Sequence, residues 1–167
     1  FAANTVFENV LIGLHRHGAA SVWQSLLALP RVRHEEARLR EQAREILDFV
    51  GLGRRADELG GALPYGEQRL LEVAVALAAR PSLLLLDEPV SGMNASETSS
   101  FIGLLEKIRG RDVTVLLVEH DMHLVMNVSD RIVVLNYGRI IAEGTPTEIQ
   151  NDPEVIRAYL GQGAKRA

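Results

Sequence analysis

Cysteine is absent from the sequence, which excludes disulfides, thiolate metal sites and thiol nucleophiles. Long hydrophobic runs are absent too. The longest, such as Leu83 to Leu86, fall far short of the roughly 20 apolar residues that a spanning helix needs, so the expectation is a soluble chain. An excess of positive charge is also missing. Lys and Arg number 18 against 22 Asp and Glu, for a net charge of −4, which gives no reason to expect a nucleic-acid backbone as partner. No G-x-x-x-x-G-K-[ST] segment occurs, which removes the backbone cradle, the lysine and the Mg²⁺-binding hydroxyl of a phosphate loop. The opening FAANTVFENV has no initiator Met and no charged segment ahead of an apolar one. It reads as neither a signal peptide nor a natural start, and the expectation is a shortened chain. Internal repeats and low-complexity tracts are lacking.

What is present fits one globular domain: 167 residues, 47% of them hydrophobic, enough to bury a core. The texture changes near Gly60-Gly61. Before it the chain reads as helical. Asn4-Thr5 cap a helix with Val6, Phe7, Val10, Leu11 and Leu14 on one stripe. Val22, Trp23, Leu26 and Leu27 repeat the pattern up to Pro30. A third helix is predicted from about His34 to Val50, with Ala43, Ile46, Leu47 and Val50 apolar and Gly51 as its stop. Its mixed Arg and Glu positions read as a solvated face.

After the join, strands alternate with helices. Leu83 to Leu86 and Val113 to Val118 lack helical periodicity, as strands buried on both faces of a parallel sheet do. Between them Phe101, Leu104, Leu105 and Ile108 mark a crossover helix closed by Gly110. Residues 131–135 and 139–143 flank Asn136-Tyr137-Gly138, where Asn and Gly supply the positive φ of a hairpin turn. Thr145 and Glu148 form a capping-box pair around Pro146, and Asp152-Pro153 starts a last short helix. The fold class is α/β.

Three segments carry chemistry. Leu83-Leu84-Leu85-Leu86-Asp87-Glu88-Pro89 delivers two carboxylates at the C-terminal end of a strand, the edge where open α/β sheets bind ligands. Asp87 suits Mg²⁺ held through water, and Glu88 suits polarising an attacking water. Alone, the same residues read equally as the start of a surface loop. Leu63-Pro64-Tyr65-Gly66-Glu67-Gln68-Arg69 precedes a helix with Leu70, Val73, Ala74, Leu77 and Ala78 on one face. A glycine ahead of a helix start lets backbone approach a phosphate, and the first-turn N–H groups attract anions. In Leu116-Leu117-Val118-Glu119-His120-Asp121, the strand ends at His120, which can hydrogen-bond a terminal phosphate without any metal. A lone histidine there is more often structural. His123 reads as surface or packing, and His15, His17 and His34 show no metal-ligand spacing.

The order and spacing of these motifs resemble the C-terminal two-thirds of an ABC transporter nucleotide-binding domain, a P-loop NTPase-type fold. The family signature matches Leu63 to Gln68, Walker B matches Leu83 to Glu88, the D-loop matches Ser91-Gly92-Met93-Asn94, and the switch histidine is His120. The wording LPYGEQRLLEVAVALA, EPVSGMNASE, VEHDM and GTPTEIQNDPEVIRAYLG is most similar to ATP-binding subunits of branched-chain amino-acid importers. Two departures stand out. The signature usually reads LSGGQ, and here Pro64 replaces its serine and Tyr65 its first glycine, removing a hydroxyl donor. Asn94 stands where many members have Asp.

The resemblance implies a helical subdomain over residues 1–60 that docks on membrane subunits. Residues 61–145 would hold the signature helix, Walker B, D-loop and switch histidine, and 146–167 the terminal short helices and tail. It implies an ATPase working as a head-to-tail pair, with ATP and Mg²⁺ as nucleotide and metal. Asp87 and Glu88 then serve the same-chain nucleotide, with Glu88 and His120 catalytic. Leu63, Pro64, Tyr65, Gly66, Glu67 and Gln68 serve the nucleotide held opposite. The implied partners are a second ATPase subunit and integral membrane permeases, with no nucleic acid, at the inner face of the cell membrane. A naturally truncated, non-catalytic docking module is the alternative. A soluble ABC protein of DNA repair or translation fits less well, because long insertions and a second cassette are missing. Without a phosphate loop, the 167-residue chain should show no nucleotide affinity at micromolar concentrations. Calorimetric titration with MgATP checks this, and a clear binding isotherm would contradict it.

Overall fold

A computed structural model of the chain describes residues 1–15 and 30–160, and these divide between two compact units, Phe1–Val118 and one that begins at Glu119. The predicted helical segment with Val22, Trp23, Leu26 and Leu27 lies outside the described residues.

In the first unit, helix α1 (Val6–His15) starts where the sequence predicts. Glu8 N donates to Thr5 Oγ1 at 3.1 Å and Thr5 N to Glu8 Oε2 at 2.8 Å, a reciprocal box that satisfies two first-turn donors. Val6, Val10 and Leu14 are buried. Helix α2 (Pro30–Val50) begins four residues earlier than expected. Pro30 was read as a stop, yet proline also suits the first helical position, where its missing N–H costs nothing. Ala43, Leu47 and Val50 are buried, and Gly51 ends the helix at φ +85°. The Arg44 guanidinium lies 5.6 Å from the centre of the Phe7 ring.

The entry segment is tied down by backbone. Val6 N donates to Glu58 O at 2.8 Å, Phe7 N to Ala56 O at 2.9 Å and Gly60 N to Asn4 O at 2.9 Å. Asn9, a buried polar residue, completes this tie. Its amide nitrogen donates to the carbonyls of Phe1 at 3.0 Å and Thr5 at 2.8 Å, and its Oδ1 accepts from Phe1 N at 2.9 Å. A buried amide is tolerated because its groups are satisfied.

Helix α3 (Tyr65–Ala78) packs on both α1 and α2. Leu71 takes the buried place expected for Leu70, while Val73, Ala74 and Ala78 are buried as expected. Two neighbours widen the buried arc beyond a single stripe. Past the C-cap Ala79, Arg80 takes the left-handed region at φ +47°, just before Pro81.

Strand β1 (Leu83–Asp87) and strand β2 (Thr114–Val118) pair in parallel, from Leu83 opposite Thr114 to Asp87 opposite Val118. Helix α4 (Ala95–Arg109) makes the crossover between them, as parallel pairing requires. Asn94 and Glu97 form its capping box, Phe101, Leu104, Leu105 and Ile108 are buried, and Gly110 is its C-cap. The expectation of strands buried on both faces is corrected here. Leu83, Leu85, Leu116 and Val118 are 49%, 64%, 55% and 57% exposed, whereas Leu84 is buried. Alternate residues in matched register share one face, and the described residues leave that face open.

The second unit holds helix α5 (Met122–Val128), capped by Asp121, and an antiparallel pair, β3 (Ile132–Asn136) and β4 (Arg139–Gly144). At the turn, Tyr137 and Gly138 take φ of +45° and +78°. Asn136, expected to supply a positive φ, instead closes the ladder opposite Arg139, because the two left-handed positions of a two-residue hairpin fall one place later. Helix α6 (Pro146–Asn151) carries the predicted capping box and proline, and helix α7 (Pro153–Val155) runs into a wide turn over Ile156–Leu160. Ile132, Val134, Ile149 and Val155 form the buried centre. Hydrogen bonds from Thr145, chiefly its backbone N–H, hold the Glu148 carboxyl below its ordinary range. The cap is therefore strengthened above that range and loses this support as pH falls through the lowered value.

Replacing Asn9 with Ala removes donors from the carbonyls it serves. Unfolding by denaturant should show a loss of about 1–3 kcal/mol, the usual cost of a broken buried polar cluster.

Candidate functional site

Asp87 is the last residue of β1 and Glu88 the first beyond it, both exposed. Parallel pairing continues past the strand, with Glu88 N donating to Val118 O at 2.9 Å, and Ser91 N closes a turn on Glu88 O at 3.1 Å. To turn there, Glu88 adopts φ +43°. A non-glycine residue in the left-handed region costs about 1–3 kcal/mol, and such residues cluster at functional sites. Pro89 and Val90 are buried beneath the turn, leaving the two carboxyl-bearing residues at the rim.

Among the described residues no three His, Asp or Glu side chains converge to hold a metal.

The turn before α3 is built from Leu63, which is buried, and Pro64, extended at φ −54° and ψ 152°. Gln68 Nε2 folds back onto Leu63 O at 2.8 Å. Glu67 meets Arg55, with Nη2 to Oε1 at 3.3 Å and an ionic contact from Nε to Oε2 at 3.2 Å. The hydrogen bonds that Arg55 donates to Glu58, then the charges of Glu58 and Glu67, raise the Arg55 pKa. No side chain caps the first turn of α3, whereas α1, α4, α5 and α6 all have one.

Gly66 was expected ahead of the helix, but it lies within its first turn and is buried. A β-carbon at Gly66 would sit 2.8 Å from Glu97 Oε1. The missing side chain therefore first admits the Glu97 carboxylate, while Glu97 Oε2 accepts from Asn94 N at 2.9 Å. Arg69 stacks on the Tyr65 ring, 5.0 Å from the centroid, and donates to its hydroxyl from Nε at 3.0 Å and Nη2 at 2.6 Å. Arg69 Nη1 also meets Glu72 at 2.7 Å, and these two partners, Glu72 first, raise the Arg69 pKa. A cleft of about 190 Å³ lies between α3 and the end of β1, with Arg69, Glu72, Asp87 and Pro89 in its lining.

The first unit thus holds the 63–68 turn, the Asp87–Glu88 rim and the loop Ser91, Gly92, Met93 and Asn94. In that loop Gly92 has φ +79° and Met93 N donates to Val90 O at 3.0 Å. His120 belongs to the second unit. Its side chain is 71% exposed, with Nδ1 3.9 Å from Glu119 Oε2, while the Glu119 side chain is buried. Sequence reasoning missed Arg69, Glu97 and Glu119. The first two had a signal: Arg69 stands four residues after Tyr65 on a helix, and Asn94-x-x-Glu97 has capping-box spacing. For Glu119 the only cue is its place beside the histidine.

The chain is similar to known proteins over most of its length. A family profile described as ABC transporter matches residues 4–91, and one described as Branched-chain amino acid ATP-binding cassette transporter matches residues 139–165. The chain is 44% identical over 163 residues to the high-affinity branched-chain amino acid transport ATP-binding protein BraF of Pseudomonas aeruginosa, covering 97% of this chain and 64% of BraF. It is 41% identical over the same length to LivG of Escherichia coli, a protein of the same description, again covering 97% of this chain and 64% of the relative. The chain therefore spans about two-thirds of the length of these relatives. The crystal structure of the ADP conformation of MJ1267, an ATP-binding cassette of an ABC transporter, superposes with a TM-score of 0.75 at 30% identity, over 96% of this chain and 64% of that one.

The strain at Glu88 can be measured without any ligand. In denaturant unfolding, Glu88→Gly should be more stable than Glu88→Ala by about 1 kcal/mol, because only glycine occupies the left-handed region freely.

Proposed function

We infer the function from one premise: this chain belongs to the ABC transporter family. On that premise we propose that the whole protein is an ATP-binding and ATP-hydrolysing subunit of an importer for branched-chain or related amino acids. The observation that carries this reading is the Asp87–Glu88 rim, with Glu88 held in a costly backbone conformation at the end of a parallel strand. Turns such as those at Arg80 and Tyr137 use the same conformation, but at Glu88 it coincides with a carboxylate at the end of a parallel strand, the combination in which such strain clusters at functional sites.

In this reading Asp87 holds the nucleotide's Mg²⁺ through water; the ion, when bound, draws negative charge from the phosphate oxygens. Glu88 would accept a hydrogen bond from the attacking water, orient it toward the γ-phosphorus and take its proton as the new oxygen–phosphorus bond forms and the bond to the β-phosphate oxygen breaks, with ADP as the leaving group. His120 donates a hydrogen bond to the terminal phosphate and so distinguishes ATP from ADP. Leu63, Pro64, Tyr65, Gly66, Glu67 and Gln68 present the uncapped start of α3 to a nucleotide held by a second ATPase subunit. Ser91, Gly92, Met93 and Asn94 line the seam between the two. Catalysis is then positioning plus electrostatics.

The phosphate-binding loop comes from residues outside this sequence, which contains none. Residues 1–60 form the helical subdomain that meets membrane permease subunits, 61–145 the catalytic part, and 146–167 a terminal appendage. No helix among the described residues is long and apolar enough to cross a membrane; in this reading the permease subunits hold the protein at the cytoplasmic face.

Three samples test the proposal by ATP turnover: this chain, the chain extended upstream with a phosphate-loop segment of the family, and the extended chain carrying Glu88→Gln. The expected results are no turnover, turnover, and a loss of at least about 100-fold, the scale on which a general base acts. An extended chain that stays inactive even with permease subunits added would favour a non-catalytic docking module instead.

A further inference from the structure

Tyr65 stands where the family signature has a glycine, so its bulk needs a reason. The ring is not buried, being 46% exposed, and it is not left to move freely. Arg69 lies over one face and donates two hydrogen bonds to the hydroxyl, and Glu72 in turn holds Arg69. The ring edge fills the space that a side chain at Gly92 would occupy. A β-carbon built at Gly92 would lie 3.1 Å from Tyr65 Cε1 and 3.7 Å from Cδ1 and Cζ. Gly92 therefore serves twice: it takes φ +79° and leaves room for an aromatic ring.

A second contact joins the same two segments. The Glu97 carboxylate places one oxygen in the space that a side chain at Gly66 would fill and accepts from Asn94 N with the other, while Asn94 Oδ1 accepts from Ser96 N and Glu97 N at 3.0 Å each. Loop 91–94 is thus gripped at Gly92 by the ring and at Asn94 by a cap leaning on Gly66.

We propose that Tyr65 is a positioning residue that clamps loop 91–94 onto the first turn of α3, so that the turn and the loop following Glu88 move as one body. Its consequence for activity rests on the functional reading above: a change at the Glu88 rim would reach the turn that faces the second subunit's nucleotide without crossing the domain core. The clamp itself is a property of this chain and needs no nucleotide.

Amide hydrogen exchange on the 167-residue chain tests it. Met93 N and Asn94 N are hydrogen-bonded in the loop and report its opening. Tyr65→Gly should speed exchange at both amides by about tenfold or more, leaving the amides of α1 and α2 unchanged. Tyr65→Phe keeps the ring on Gly92 and loses only the bonds from Arg69, so it should restore most of the protection. Arg69→Gln, which leaves Tyr65 in place but unclamped, should fall between the two and decides the matter if Tyr65→Gly does not fold. Unchanged exchange at Met93 and Asn94 in Tyr65→Gly, or in Arg69→Gln if that variant alone folds, would overturn the clamp. Equal acceleration in Tyr65→Phe and Tyr65→Gly would overturn it as well, since the ring would then not be what holds the loop. An inactive extended chain would defeat the functional reading and leave these outcomes decisive.

Discussion

The parallel pairing of β1 with β2 is the constraint from which the candidate site follows. Parallel neighbours cannot be joined by a hairpin, so the chain must leave β1, cross over through α4 and return. Both strands then finish at the same edge. One further backbone bond, from Glu88 N to Val118 O, carries the pairing beyond the last strand residue and forces the reversal in which Glu88 takes a left-handed conformation. The loop to α4 starts from that reversal, and the α4 cap at Asn94 and Glu97 fixes where the loop ends.

The three-helix body of the first unit brings the other half of the site to this edge. Helices α1, α2 and α3 pack on one another, and Asn9, the 56–61 backbone and the Arg55–Glu67 contact hold the approach to α3. Helix α3 and helix α4 then meet at their N-terminal turns, through Gly66 and Glu97. Two helix starts close together would concentrate positive partial charge. Here a carboxylate lies at that junction, and the outer donors of α3 are left uncapped.

Burial shows where the described residues are self-sufficient and where they are not. The helical body and the centre around Ile132, Val134, Ile149 and Val155 close on themselves. The open side of the β1–β2 pair does not, since four aliphatic side chains of strand residues stand about half exposed there. Apolar surface of this kind is ordinarily covered.

Element type and order were legible from local signals: apolar spacing for α1, α3 and α4, the capping box at Thr145, and the strand that runs into Asp87-Glu88. The motif spacing likewise pointed to the family that the comparisons identify. Features that depend on neighbours were not legible. The start of α2 was missed because Pro30 allows both a stop and a start, and the turn residue Tyr137 because hairpin register is a property of two strands. The exposure of Leu83, Leu85, Leu116 and Val118 follows from which side of the sheet is covered, which no single strand encodes. The sequence by itself determined the carboxylates at the strand end, the signature turn and the histidine after β2, since each is a local pattern of residue types. Only the tertiary structure decided that Glu88 sits in a left-handed turn, that Gly66 makes room for Glu97 and that Tyr65 rests on Gly92. The reason is physical: each of these contacts joins segments held together by packing and backbone pairing, not by their separation along the chain.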